Sequence, residues 1–195
     1  MKTVKIIALA LATAITLGGA AFASKKAKTY KVDAAKSVAK WDGKKVTGEH
    51  NGTFSLAGGL LTLDGDKVTG GSFEIDMTSI KCTDLADAGY NAKLIGHLKS
   101  DDFFSVEKNP KAMFKITKVE GTNITGDMTI KGITQSITFP ATVKVDKNTV
   151  TATAKIVLDR TKWDIRFGSK KFFESIGDKA IYDDFTIDLN LMATK

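Results

Sequence analysis

The chain has 195 residues, 43% of them hydrophobic and 26% charged, with a formal net charge of +7. That length supports one domain with a core of its own, and the lysines alternate with acids in no long block, which excludes a nucleic-acid groove and describes a solvated basic surface. A single cysteine, Cys82, excludes an internal disulfide, so the fold must stand on its core.

The N-terminus reads as an export signal. Lys2 and Lys5 precede the apolar run "IIALALATAITLGGA", which ends in the small-residue motif Ala21, Phe22, Ala23. The run is short for a membrane span of about 20 residues and leads into the lysine-rich "SKKAK". Residues 1–23 are therefore expected to be a cleaved signal peptide, residues 24–195 the mature single domain, and the periplasm its location. Cleavage removes Lys2 and Lys5, so the excess charge falls by two.

Beyond the signal the dominant period is two. Strands are predicted near 30–33, 37–44, 47–55, 60–64, 67–78, 111–119, 123–130, 134–146, 149–159 and 183–194, with some of the early ones merging. "GGSFEIDM" sets Phe73, Ile75 and Met77 on one face, and "AMFKI" sets Ala112, Phe114 and Ile116 on one face. "VTATAKIVL" aligns Val150, Ala152, Ala154, Ile156 and Leu158; "DFTIDLNLM" aligns Phe185, Ile187, Leu189 and Leu191. These are half-buried antiparallel strands. "LDGDK", "VEGTN", "IKGIT" and "VDKNT" read as hairpin turns, and Pro140 bends its strand or marks an edge.

Two stretches break the alternation. "TDLADAGYNAKLIGHLKSDDFF" places Leu94, Ile95 and Leu98 at helical spacing, so a short helix is expected near residues 84–99, capped by Thr83 or Asp84. Residues 159–184 hold Trp163, Phe167, Phe172 and Phe173 in a segment long for a hairpin loop, a length that often carries function. Many hairpin-linked strands, each with one apolar face, suit a closed antiparallel barrel, in which no sheet edge is left; a two-sheet sandwich satisfies the same periodicity.

Catalytic signatures are missing. The sequence has no G-x-S-x-G elbow, H-E-x-x-H pair, phosphate loop or dinucleotide fingerprint. His50 and His97 are the only imidazoles, and neither has a histidine or cysteine at metal-ligand spacing; a joint site with Asp101 or Asp102 would need the fold to bring them together. Adjacent carboxylates diverge in regular structure, so these aspartates fit turn capping better than an acid–base dyad. Cys82 has no base nearby in "SIKCTDLAD" and reads as an inert thiol. Arg160 in "DRTKWD" either pairs with a buried carboxylate or meets a polar headgroup. What remains is apolar: 11 phenylalanines against 3 tyrosines, several of them in the irregular segments.

"GHLKSDDFFSVEKNPKAMF", with "YKVDAAKSVAKWDGKKVTGEHNGTF", "GSFEIDMTSI", "ITGDMTIKGITQSITFPATV" and "LDRTKWDI" in order, resembles the YceI-like family of exported, lipocalin-like polyisoprenoid-binding proteins. The resemblance implies an all-β fold, an extended eight-stranded antiparallel lipocalin-like barrel with one short helical segment. It implies a hydrophobic tunnel holding an isoprenoid quinone or polyprenyl lipid, no cofactor and no enzymatic activity; the basic surface suits transient contact with an anionic membrane surface. On that reading the tunnel is lined by Phe54, Phe73, Ile75 and Met77; by Leu94, Leu98, Phe103 and Phe104; by Phe114, Ile116, Ile137 and Phe139; and by Ile156, Leu158, Trp163, Phe185, Ile187 and Leu189. Arg160 and Trp163 mark the headgroup end. The competing expectations are a side-chain-filled barrel acting as a stress-related structural or interaction protein, and a metal-dependent enzyme using His50 and His97.

Overall fold

The computed structural model describes residues 27–195. The expected signal peptide lies outside the described residues. Nine strands and one helix follow in chain order: β1 (Lys28–Val32), β2 (Val38–Lys45), β3 (Gly48–Asp64), β4 (Lys67–Cys82), α1 (Ala88–Lys99), β5 (Lys111–Glu120), β6 (Asn123–Ile130), β7 (Ile133–Asp146), β8 (Thr149–Asp159) and β9 (Ile181–Thr194). Each strand pairs antiparallel with its neighbours, and β1 and β2 both lie between β3 and β9. Together those two form one broken stave, so nine strands close an eight-stave barrel with no free edge. The break is a short turn in which the Ser37 hydroxyl donates to the Asp33 carbonyl at 2.7 Å and accepts from the Met192 N–H at 2.9 Å.

The strands predicted at 47–55 and 60–64 are one strand, β3. Its pairing with β4 slips between Leu56 and Gly58, and the inward residues change from Phe54 and Leu56 to Leu61 and Leu63. Gly58 and Gly59 adopt φ of 154° and 155°, and a Cβ on Gly59 would come within 2.5 Å of the Ser72 carbonyl oxygen. Only glycine passes there, and the bulge it permits resembles a strand boundary in the sequence. The four predicted hairpin turns fall at 65–66, 121–122, 131–132 and 147–148, each opened by a residue with positive φ. Pro140 stands where β7 changes partner: pairing with β6 ends at Asn123↔Pro140 and pairing with β8 begins at Ala141↔Ala154. A residue without an N–H costs least at that handover.

The helix is capped by Asp87, whose side chain accepts from the Tyr90 N–H at 2.8 Å, and not by Thr83 or Asp84. Asp84 is already committed to β3, accepting from the Asn51 N–H at 2.8 Å. α1 lies over one end of the barrel. Two core clusters fill the interior. One, around Phe54, Phe114, Phe139 and Trp163, sits toward the helix end; the other, around Tyr30, Leu63 and Val150, seals the opposite end.

Candidate functional site: an apolar tunnel under an aromatic cap

Alternation turns one face of every stave inward, and those faces are almost wholly aliphatic or aromatic. They enclose a cavity of about 110 Å³ whose 26 lining residues include no polar side chain. The bore depends on five alanines: Ala39, Ala112, Ala141, Ala152 and Ala154. Ala141 and Ala154 face each other across β7 and β8, and Ala154 faces Leu189 on β9. Where larger rings line the bore they pack on one another, Phe73 stacked on Phe114 and Phe139 tilted at 45° to Phe114. Phe73 and Phe114 lie 6.4 Å apart between ring centroids, and Phe114 and Phe139 lie 5.4 Å apart.

At the helix end the chain folds over the bore in two pieces. The segment after α1 inserts Phe104, which meets Phe54 edge-on at 6.0 Å and Phe185 at 6.4 Å. Beside it lies a smaller pocket of about 70 Å³, which shares Phe54, Phe104 and Phe185 with the main cavity and adds Leu98, Phe103 and Arg160. Phe104 thus divides the tunnel from an antechamber. The second piece, between β8 and β9, is fastened from below. Arg160 is only 4% exposed, and it donates to the carbonyls of Ile165, Ile181 and Tyr182 at 2.8–3.1 Å. Asp183 lies 3.6 Å from its guanidinium. Burial lowers this group from its usual range, and the nearby Asp183 and Asp159 work against that.

Of the residues predicted to line a tunnel, Phe54, Phe73, Ile75, Met77, Phe104, Phe114, Ile116, Phe139, Ile156, Leu158, Phe185, Ile187 and Leu189 surround the main cavity. Leu98 and Phe103 line the antechamber instead. Leu94 and Ile137 pack against the core without reaching the bore. Trp163 requires correction: it is 1% exposed, outside both pockets, because its indole N–H donates to the Met128 carbonyl at 3.2 Å and locks the cap onto β6. Arg160 faces the antechamber, yet three of its five N–H groups are spent on the main chain, so its geometry is that of a structural clamp. The alanines were missed because alternation marks which residues face inward, whereas their importance lies in the volume they leave open.

The two histidines do not form a joint site. Among the described residues, the one group of three metal-ligating side chains within 4.8 Å is His50, Cys82 and Asp84. His97 belongs to the cap: its ring packs edge-on against Phe103 at 5.0 Å and Phe167 at 4.5 Å, with Asp102 at 3.7 Å. The Asp101 side chain accepts from the Ser105 hydroxyl and from Lys108 at 2.6 Å, which ties the turn after the helix.

A family model described as the YceI-like domain matches residues 30–193, nearly the whole described chain. The chain belongs to the YceI-like family. A UPF0312 protein of Pseudomonas putida strain W619 is 32% identical over 143 residues, covering 69% of this chain and 70% of its own. Among solved structures, Burkholderia cenocepacia BcnA superposes with a TM-score of 0.63 at 26% identity, over 84% of this YceI-like chain and 99% of its own. A polyisoprenoid-binding domain from Saccharophagus degradans, implicated in plant cell wall breakdown, superposes with a TM-score of 0.61 over 85% of this chain and 97% of its own. At 12% identity that second likeness establishes the shared barrel alone.

Proposed function

We propose that this YceI-like protein is a non-enzymatic carrier that holds a long isoprenoid lipid, an isoprenoid quinone or a polyprenyl compound, along the barrel axis. The observation that carries the reading is the all-apolar lining, continuous from Phe104 to Leu61 and Leu191. A polyisoprenoid offers almost no hydrogen-bonding groups, so its site needs apolar length and few polar anchors. The bore is narrow. A dry cavity of about 150 Å³ admits a single benzene ring, so a chain of tens of carbons must thread lengthwise and turn rings such as Phe73 and Phe139 aside. Each methylene-sized group buried contributes about 0.8 kcal/mol, offset by the chain's lost freedom and by the membrane as a competing solvent.

The signal-like N-terminus supports export to the periplasm. Lipid uptake there would come from a membrane surface through the cap, which carries exposed Phe167, Phe172 and Phe173 interleaved with Lys162, Arg166, Lys170 and Lys171. Exposed aromatics beside cations suit an anionic bilayer interface. The cavity's small volume favours one second reading, a side-chain-filled scaffold. Mass spectrometry of an organic extract from protein purified without detergent separates the two: stoichiometric isoprenoid is expected, and an empty extract from folded protein would establish the scaffold.

A further inference from the structure

A second cluster stands apart from the tunnel, since none of its members lines either apolar pocket. His50 Nδ1 lies 2.8 Å from Asp84 Oδ2, and the Cys82 thiol lies 3.2 Å from Asp84 Oδ1. The β3–β4 ladder produces this grouping. Gly52 faces Cys82 in register, and the Thr83 N–H donates to the Asn51 carbonyl at 2.9 Å. Asp84 follows two residues beyond the end of β4 at Cys82, and there it meets His50 of β3. The Asn51 N–H fixes Asp84 Oδ1 at 2.8 Å, and the Thr83 hydroxyl donates to Asn51 Oδ1 at 2.9 Å. His50 and Cys82 therefore project from paired strands, and Asp84 is anchored to β3 through its side chain.

We propose that His50, Cys82 and Asp84 form a binding site for a thiophilic divalent metal ion of the zinc(II) class. Tetrahedral zinc, with bonds of about 2.0–2.3 Å, holds its ligand atoms about 3.3–3.6 Å apart. The three ligand atoms already lie within 4.8 Å of one another, so shifts of about 1 Å close the site. A thiolate, a carboxylate and a neutral imidazole carry two negative charges, which a divalent ion neutralises. Thiolate and imidazole together select zinc, cobalt or copper over magnesium and calcium, which prefer all-oxygen sets. The His50 and Asp84 side chains are 35% and 27% exposed, leaving room for water as a fourth ligand.

Binding exchanges protons for metal: the Cys82 S–H bond breaks, a sulfur–metal bond forms, and the proton passes to solvent with no change of oxidation state. His50 binds through Nδ1, so the Nδ1 proton that bonds to Asp84 in the free protein is given up to solvent while Nε2 takes one up, and the ring stays neutral. Asp84 needs no deprotonation. Burial would raise its carboxyl, but the hydrogen bonds from the Asn51 N–H, His50 and Cys82 bring it down to about 2. A thiol must lose its proton to bind, so metal affinity should climb with pH. The Asn51 N–H remains on Asp84 and holds the carboxylate in place, as the outer partners of metal ligands commonly do.

The test is a cobalt(II) titration of the reduced protein, followed by its near-ultraviolet and visible absorption. A thiolate-to-cobalt charge-transfer band saturating at one equivalent and removed by added zinc is expected. Cys82 is the only cysteine, so the band has one source. Cys82→Ser should abolish it, and His50→Ala should weaken cobalt binding at least about tenfold, a step of 1.4 kcal/mol. Neither side chain lines the lipid cavity, so isoprenoid content reports independently on the tunnel. The proposal is overturned if the wild-type protein gives no such band, or if the band survives in Cys82→Ser.

Discussion

Ala154→Phe tests the tunnel where its width is set. Ala154 lies at mid-barrel on β8, opposite Ala141 on β7 and Leu189 on β9, and all three line the cavity. A phenyl ring there occupies roughly the room of one five-carbon isoprene unit. At about 0.8 kcal/mol per methylene-sized group, excluding that unit forfeits about 4 kcal/mol of lipid binding, or about a thousandfold in Kd. The effect on folding is much smaller. Filling the 110 Å³ cavity at about 24 cal/mol per Å³ stabilises by at most about 2.6 kcal/mol, and overpacking costs about 1–3 kcal/mol in the other direction. The variant should therefore melt within a few degrees of the wild type while its extracted isoprenoid falls from stoichiometric to trace. Thermal melts by circular dichroism and lipid quantification by mass spectrometry read the two quantities separately. A folded Ala154→Phe protein that keeps its full lipid complement would refute the placement of the lipid in this cavity.

Arg160→Ala leaves three carbonyls and the nearby Asp183 carboxylate without their buried partner, so it should destabilise by about 3–5 kcal/mol in urea denaturation; a loss below about 1 kcal/mol would remove Arg160 as the clamp of the cap. The double substitution Phe172→Ser and Phe173→Ser acts on side chains 43% and 46% exposed, so stability should change by less than about 1 kcal/mol while cosedimentation with anionic vesicles drops; unchanged cosedimentation would take these rings out of membrane contact. Asp84 has a folded-state pKa below its unfolded value, so its contribution is complete above about pH 4 and is lost as the pH falls toward 2. A shift of that size corresponds to about 2 kcal/mol, and partial exposure reduces it to about 1 kcal/mol. Asp84→Asn should lower neutral-pH stability by about that amount and flatten the acid side of a melting-temperature profile; an unaltered profile would show that the Asn51 and His50 bonds contribute nothing.

The staves were legible because a barrel wall has water on one side and lipid-like interior on the other, which writes a period of two into every strand. Phe73, Ile75 and Met77, or Phe185, Ile187 and Leu189, could be assigned a common face from spacing alone, and the structure turns each set onto the cavity. The errors fall where that rule stops applying. At Gly58 and Gly59 a bulge shifts the inward parity, so one strand reads as two. In the cap, Trp163 was assigned to the tunnel by its aromatic character, but its burial is decided by a hydrogen bond to Met128, 35 positions away. Arg160 is fixed by carbonyls on β9 that no local pattern reveals.

The same limit explains the grouping of His50, Cys82 and Asp84. Linear spacing separates the histidine from the cysteine by 32 positions, and neither flank contains a ligand motif. Their meeting depends on the β3–β4 register, which is itself displaced by three irregularities along the pair. A different count of bulged residues would point Cys82 or His50 to the opposite face, because each one-residue slip exchanges inside for outside. The bulges that shape the tunnel also decide which polar side chains meet on the wall. Removing one, for example by deleting Gly58, should therefore disturb lipid content and cobalt binding together, whereas Ala154→Phe should affect the lipid alone.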